Sequence, residues 1–149
     1  MGAHPYRYIA QFNGDVRASL EALRQREFEA GRYSPVMREI RFPITSKSPA
    51  PGPKHKSIQD VLSKMSEEGT RSILDILKIS DKPAICTACK LEDEVITRVY
   101  GTALPTRQMV ETDRTLLSIH RIERGHAIYF LIYENDRATE VFFAGYSFD

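Results

Sequence analysis

The sequence predicts an α+β protein with a mostly antiparallel sheet, a C-terminal β-hairpin and about four helices. Three observations carry this reading. Residues 128–133, Ile-Tyr-Phe-Leu-Ile-Tyr, form an unbroken apolar run; residues 134–137 supply turn formers and residues 138–144 return to strand chemistry, which is the pattern of a hairpin. That first run is apolar at odd and even positions alike, so both faces are expected to be covered and the strand to be central. Finally, the helical and extended stretches do not alternate regularly, as an all-parallel sheet would require.

Taken in order, residues 6–12 alternate with period two, placing Tyr6, Tyr8, Ala10 and Phe12 on one face and Arg7 and Gln11 on a wet one. Asn13 or Asp15 caps a helix to about Ala30, with Gly31 as its stop. Its apolar stripe is Val16, Leu20, Leu23 and Ala30, with Glu27 inside the stripe and Phe28 on its flank. A short strand is expected over 37–42. A proline-rich loop follows at about 43–56, where Pro43, Pro49, Pro51 and Pro53 remove ladder donors. Ser57 caps the next helix, in which Ile58, Val61, Leu62 and Met65 recur at helical spacing and Gly69 ends the run. Residues 72–80 read as a strand and 83–90 as a weak strand or loop. Glu92, Asp93 and Glu94 open a helix stopped by Gly101. Thr106 caps a last helix to about Glu123, with Met109, Leu116, Leu117 and His120 on its stripe.

The 149 residues suit a single domain over 1–149, and 42% hydrophobic with 28% charged residues is ordinary globular composition. A net charge of +1, from 21 basic and 20 acidic residues, provides no global field toward nucleic acid or an anionic membrane. No apolar run is long enough to span a bilayer, and the first residues lack a signal peptide's apolar segment. Two cysteines do not make a disulfide scaffold, so the expected setting is cytoplasmic with reduced thiols.

Four groups of residues qualify as candidate sites. Cys86-Thr87-Ala88-Cys89-Lys90 is a Cys-x-x-Cys ahead of a helix, an arrangement that can depress a thiol pKa; Glu92, Asp93 and Glu94 would oppose a thiolate, and the bland alternative is two ordinary buried thiols. Cys86, Cys89, His120 and His126 make a zinc set on paper, although a zinc knuckle keeps its second pair closely spaced. Glu27 is either a poised buried acid or a carboxylate at a frayed helix end that reaches water, Arg24 or Arg32. Residues 37–57 are locally basic, through Arg38, Arg41, Lys47, Lys54, His55 and Lys56, but Phe42 is their only stacking aromatic. No phosphate-cradling glycine loop, nucleophile elbow or His-Glu-x-x-His pair occurs.

The segment Gly69-Thr70-Arg71-Ser72-Ile73-Leu74-Asp75, the Gly101-Thr102 and Pro105-Thr106-Arg107 connection and the ending Phe142-Phe143-Ala144-Gly145-Tyr146-Ser147-Phe148-Asp149 resemble those of small uncharacterised bacterial proteins. The resemblance implies a bacterial cytoplasmic origin and carries over no activity. The expected function is therefore a non-catalytic binding or interaction protein, such as a toxin-neutralising or accessory factor. It would pair with itself or a protein partner, with no cofactor, no membrane and no nucleic acid, and its exposed surfaces would be the proline-rich loop and Tyr146-Ser147-Phe148. The alternative is a thiol redox or metal-dependent enzyme using Cys86 and Cys89. A weaker one is a nucleic-acid-associated protein working through residues 37–57.

Overall fold

The computed structural model describes residues 3–37, 40–65 and 67–148. The first strand, β1 (Pro5–Gln11), buries Tyr6, Tyr8 and Ala10 on one face as its alternation requires. Helix α1 (Val16–Ala30) starts at Asp15, whose carboxylate accepts from the Arg17 N–H, and ends at Gly31 in the left-handed region at φ 75°. The second helix, α2 (Ile58–Lys64), is capped by the Ser57 hydroxyl, which accepts from the Asp60 N–H. It is shorter than the run to Gly69 expected from sequence. Two short strands follow, β2 (Lys78–Ser80) and β3 (Thr87–Lys90). Then come α3 (Asp93–Tyr100), α4 (Arg107–Thr112) and α5 (Leu116–Ile119). The chain closes with β4 (His126–Glu134) and β5 (Arg137–Tyr146). Asn135 and Asp136, at φ 51° and 63°, form the two-residue turn between them, a turn whose twist matches the strands it joins.

The sheet order is β1-β5-β4-β3-β2, so β4 is central as expected. Pairing is antiparallel for β1–β5 and β5–β4 and parallel for β4–β3 and β3–β2. The fold is α+β with a mixed sheet, so the mostly antiparallel sheet is found in part: the two long ladders are antiparallel and the two short ones parallel. The β4–β3 pair runs parallel because α3, α4 and α5 carry the chain back across the sheet between those strands, the crossover that parallel pairing needs.

Helices cover both faces. On the α1 side, Tyr6, Tyr8, Leu20, Leu23, Val141 and Phe143 share one core. On the other, Phe130, Ile132 and Phe142 meet Ile96 of α3, Val110 of α4 and Leu116 of α5. Adjacent β4 residues thus divide between the two cores, with Tyr129 and Leu131 packing on the α1 side. A third cluster, including Phe28, Tyr33, Val61 and Leu74, seats α2 against the end of α1.

Five α-helices are present among the described residues, against about four expected. The extra one arises because the predicted 106–123 helix breaks at Asp113. The Asp113 carboxylate accepts from the Thr115 N–H (2.8 Å) and the Leu116 N–H (3.3 Å), competing with the helical ladder. The buried stripe shifts with it: Val110 is fully buried, whereas Met109 is 40% exposed. Of the strand expected over 72–80, only β2 forms, since the Ser72 hydroxyl caps a 3-10 turn at Ile73–Asp75. In the short strand expected over 37–42, Arg38 and Glu39 lie outside the described residues; 40–43 is irregular, and Ile44 makes one parallel bridge to Tyr6.

The last strand is not an edge. β5 lies between β1 and β4, so strand addition there is closed off. The expected surface at Tyr146-Ser147-Phe148 is also absent: Ser147 is fully buried, and the Phe148 ring packs over Gly69 and Gly125. Among the described residues, no helix is long and apolar enough to cross a membrane.

Candidate functional site

The site begins with the hydrogen-bond parity of β1. The Phe12 N–H donates to the Thr139 carbonyl, and the register pairs Tyr8 with Phe143 and Ile9 with Phe142. Antiparallel ladders bond alternate residues, so Arg7, Ile9 and Gln11 turn their backbone groups away from β5. At the Arg7 end that outer edge is closed, because the Arg7 N–H donates to the Ile44 carbonyl at 3.0 Å. Farther along, the carbonyls are taken by side chains. Arg26 donates to the Ile9 carbonyl (3.3 and 3.4 Å) and the Ser19 hydroxyl to that of Gln11 (2.7 Å). The N–H groups of Ile9 and Gln11 meet no acceptor among the described residues.

A cleft of about 570 Å³ opens along this edge, between the 43–47 segment and α4. Its cations are Arg7, Arg26, Lys47, Arg107 and Arg114, against the carboxylates of Glu111 and Glu140, a formal excess of three positive charges (five against two). Several have structural duties. The Arg7 guanidinium donates to the carbonyls of Val110 (2.8 Å) and Asp113 (3.2 Å), holding positive charge against the C-terminal end of α4. It also lies 5.2 Å from the centre of the Phe142 ring. Burial lowers the Arg7 pKa, partly countered by Tyr100 and Asp113. Arg107 is paired with Glu140 and with Glu111. Arg114 donates to the carbonyls of Glu111 and Asp113.

Glu27 is fully buried, and the helix end around it is ordered rather than frayed. Its carboxylate is forked by Arg32 and also receives Arg26, whose other donor reaches the Ser46 hydroxyl at 2.6 Å. Arg32 in turn donates to the Ser48 carbonyl (3.4 Å). The Gly52 N–H donates to the Ala30 carbonyl, with the loop so close that a Cβ on Gly31 would stand 2.2 Å from the Gly52 carbonyl oxygen. Glu27 therefore anchors the proline-rich loop to α1, and through Arg26 it shapes one wall of the cleft.

The two cysteines are free thiols. Cys86, in the left-handed region at φ 62°, is half-buried; burial and then Asp75 push its pKa up. Cys89 is buried, and burial, Asp81 and Glu92 likewise push it up. Ala88 packs in the α1-side core, so alternation along β3 sends Cys89 to the opposite face. The arrangement disfavours a thiolate at either position. His120 follows α5 and His126 opens β4, both half-buried. Among the described residues, no group of three or more His, Cys, Asp or Glu side chains is placed to hold a metal ion.

A second polar group lies beneath the sheet. Asp75 accepts from the Thr70 N–H at 2.8 Å through one oxygen, while its other oxygen, the Tyr6 hydroxyl and Arg24 Nε are buried without a hydrogen-bond partner. Burial raises the Asp75 pKa, and hydrogen bonds from Thr70 together with the charge of Arg24 oppose the shift.

Of the residues around the cleft, the sequence singles out Lys47, within a basic segment, and Pro43, Thr45 and Ser46 only as part of an exposed proline-rich loop. Arg7 read as the wet face of a strand, and nothing in the linear pattern joins it to Arg107 or Arg114, a hundred residues away. Glu27 was legible as a polar residue in an apolar stripe, and it borders the cleft without lining it. No protein-family model, curated protein or solved structure matches the chain.

Proposed function

We propose that this protein is a non-catalytic binding protein whose cleft along β1 takes a small ligand bearing an anionic group. One observation carries the reading. Where β1 faces the cleft beyond Ile44, its carbonyls are already occupied and the backbone groups left without a partner among the described residues are donors, set among an excess of cations. Strand addition needs acceptors as well as donors along the edge, so an extended peptide is matched less well than a compact anion. Carboxylates and phosphates are acceptors only, which suits such a wall.

The thiol alternative is disfavoured by two free thiols that burial and nearby carboxylates push up. Nucleic acid is disfavoured because the cations ring a short cleft without an exposed aromatic platform.

The test is calorimetric titration with methyl phosphate and acetate at low and high salt. Saturable binding that weakens with salt is expected, since partly exposed charges are screened. Lys47→Ala is expected to weaken it roughly tenfold, the loss of one charge-assisted contact. No binding of either anion at millimolar concentration would refute the reading.

A further inference from the structure

Next to the cationic cleft lies a second recess of about 180 Å³, lined mainly by the apolar Pro5, Leu116, Leu117 and Ala144, with Asp113 also on its wall. Both cavities share Arg7, Pro43, Arg114 and Phe142. The register explains the continuity. Gln11 pairs with Glu140, Ile9 with Phe142, Arg7 with Ala144 and Pro5 with Tyr146, so these pairs make one floor running along the two strands. Six residues of strand span roughly 20 Å. Polarity changes along that floor: Gln11 and Glu140 at one end, Arg7 over Phe142 in the middle, Pro5 and Ala144 under the two leucines at the other.

We infer that the ligand is a small amphiphilic anion, with its charged head among Lys47, Arg114 and the Ile9 and Gln11 N–H groups and a short apolar tail in the Leu116–Leu117 recess. This rests on the anion-binding reading and adds to it the tail and its size. The recess is close to a cavity of about 150 Å³ known to hold one benzene, so it takes about six carbons and not a long acyl chain. The head-group chemistry shared by phosphate monoesters and carboxylates is the same at the wall: oxygen acceptors carrying negative charge.

A chain-length series tests the inference with the head held constant. Methyl, butyl, hexyl and decyl phosphate are titrated into the protein, with hexanoate as the carboxylate arm. Hexyl phosphate is expected to bind at least about tenfold tighter than methyl phosphate, from a few buried methylenes. Affinity is then expected to level off, with decyl phosphate gaining less than about threefold over hexyl, because the recess is full. Hexanoate binding shows that a carboxylate head suffices, and its failure restricts the head to phosphate. Leu117→Gln, at a half-buried wall position, is expected to bring hexyl phosphate affinity down to that of methyl phosphate in the same variant. Equal affinity for methyl and hexyl phosphate would overturn the tail and leave the anion site standing. A gain that continues through decyl would mean surfactant-like adhesion and would overturn the inference. No binding by any member would overturn the anion site and the inference together.

Discussion

Tyr6 lies over Gly145, its pair partner across the β1–β5 ladder: a Cβ added to Gly145 would stand 2.6 Å from the Tyr6 hydroxyl oxygen and 2.6 Å from the His126 carbonyl oxygen. An aromatic ring covering a cross-strand glycine closes the gap that the missing side chain leaves. Gly145→Ala is expected to cost about 1–3 kcal/mol in denaturant melts, the range for forcing extra volume into a packed core. Tyr6→Phe removes a buried hydroxyl without a partner and is expected to be close to neutral alone. Combined with Gly145→Ala it should recover part of the loss, because the clash with the hydroxyl oxygen is gone while those with the ring carbon Cζ (2.8 Å) and the backbone carbonyl remain; a strictly additive double variant would show that the two residues do not press on each other.

Glu27 and Arg32 form a buried pair at the end of α1. Removing one partner leaves the other charge buried, so Glu27→Ala is expected to destabilise by about 3–5 kcal/mol. The double variant with Arg32→Ala is expected to cost less than the sum of the single changes. Hydrogen exchange supplies a second readout. The Gly52 amide, bonded to the Ala30 carbonyl, should lose protection in Glu27→Ala as the proline-rich loop lifts from the helix. Unchanged stability and unchanged protection would refute the anchoring role.

Two carboxyls give opposite pH dependences. Asp113 is pushed up by burial, but hydrogen bonds from Thr115, Tyr100 and Leu116 outweigh this and hold it below the ordinary value. Its contribution is therefore present above the unfolded pKa of about 3.9 and lost as pH falls through the folded value. Asp75 is raised by burial, so its contribution is full below about pH 3.9 and lost as pH rises through the folded value. Asp113→Asn is expected to cost about 1 kcal/mol near neutrality, like the loss of a helix cap, with the deficit shrinking in acid. Asp75→Asn is expected to match or exceed the parent near neutrality and to lose that advantage in acid. Melts from pH 3 to 7 decide it, and parallel profiles for the two variants would refute the assignment.

The central position of β4 was legible because a strand buried on both faces has no polar alternation, and Phe130 and Ile132 do oppose Tyr129 and Leu131. The limits of α1 were legible from Asp15 and Gly31, since caps are local chemistry. The parallel half of the sheet was not, because β2 and β3 span only three and four residues and carry too little pattern of their own to set their partners. The break at Asp113 escaped because one carboxylate outbid a periodicity that read as continuous. The cleft escaped most completely. Arg7, Lys47 and Arg114 come from three distant segments, and only the fold of the sheet edge brings them together.

The central strand has its own test. Phe130 is fully buried between Tyr100 and Phe142, with ring centres 5.7 and 4.9 Å away. Phe130→Ala is expected to cost about 3–5 kcal/mol, while Arg137→Ala, beside the exposed turn, should stay within about 0.5 kcal/mol. Comparable small losses for both would contradict the placement of β4.

The pairing of β1 with β5 also sets how the molecule yields to tension. Pro5 sits opposite Tyr146, and just outside them the Ser147 N–H donates to the His4 carbonyl, so the segments leading out of the two strands leave the sheet side by side. Pulling those segments apart loads the ladder across its rungs, and the hydrogen bonds open one pair after another, from His4–Ser147 toward Phe12–Thr139, as a zipper does. The ladder cannot share the load in shear. Two opposed pulls on these segments meet the weak direction of the sheet, and each rung that opens uncovers the floor of the cleft from its Pro5 end.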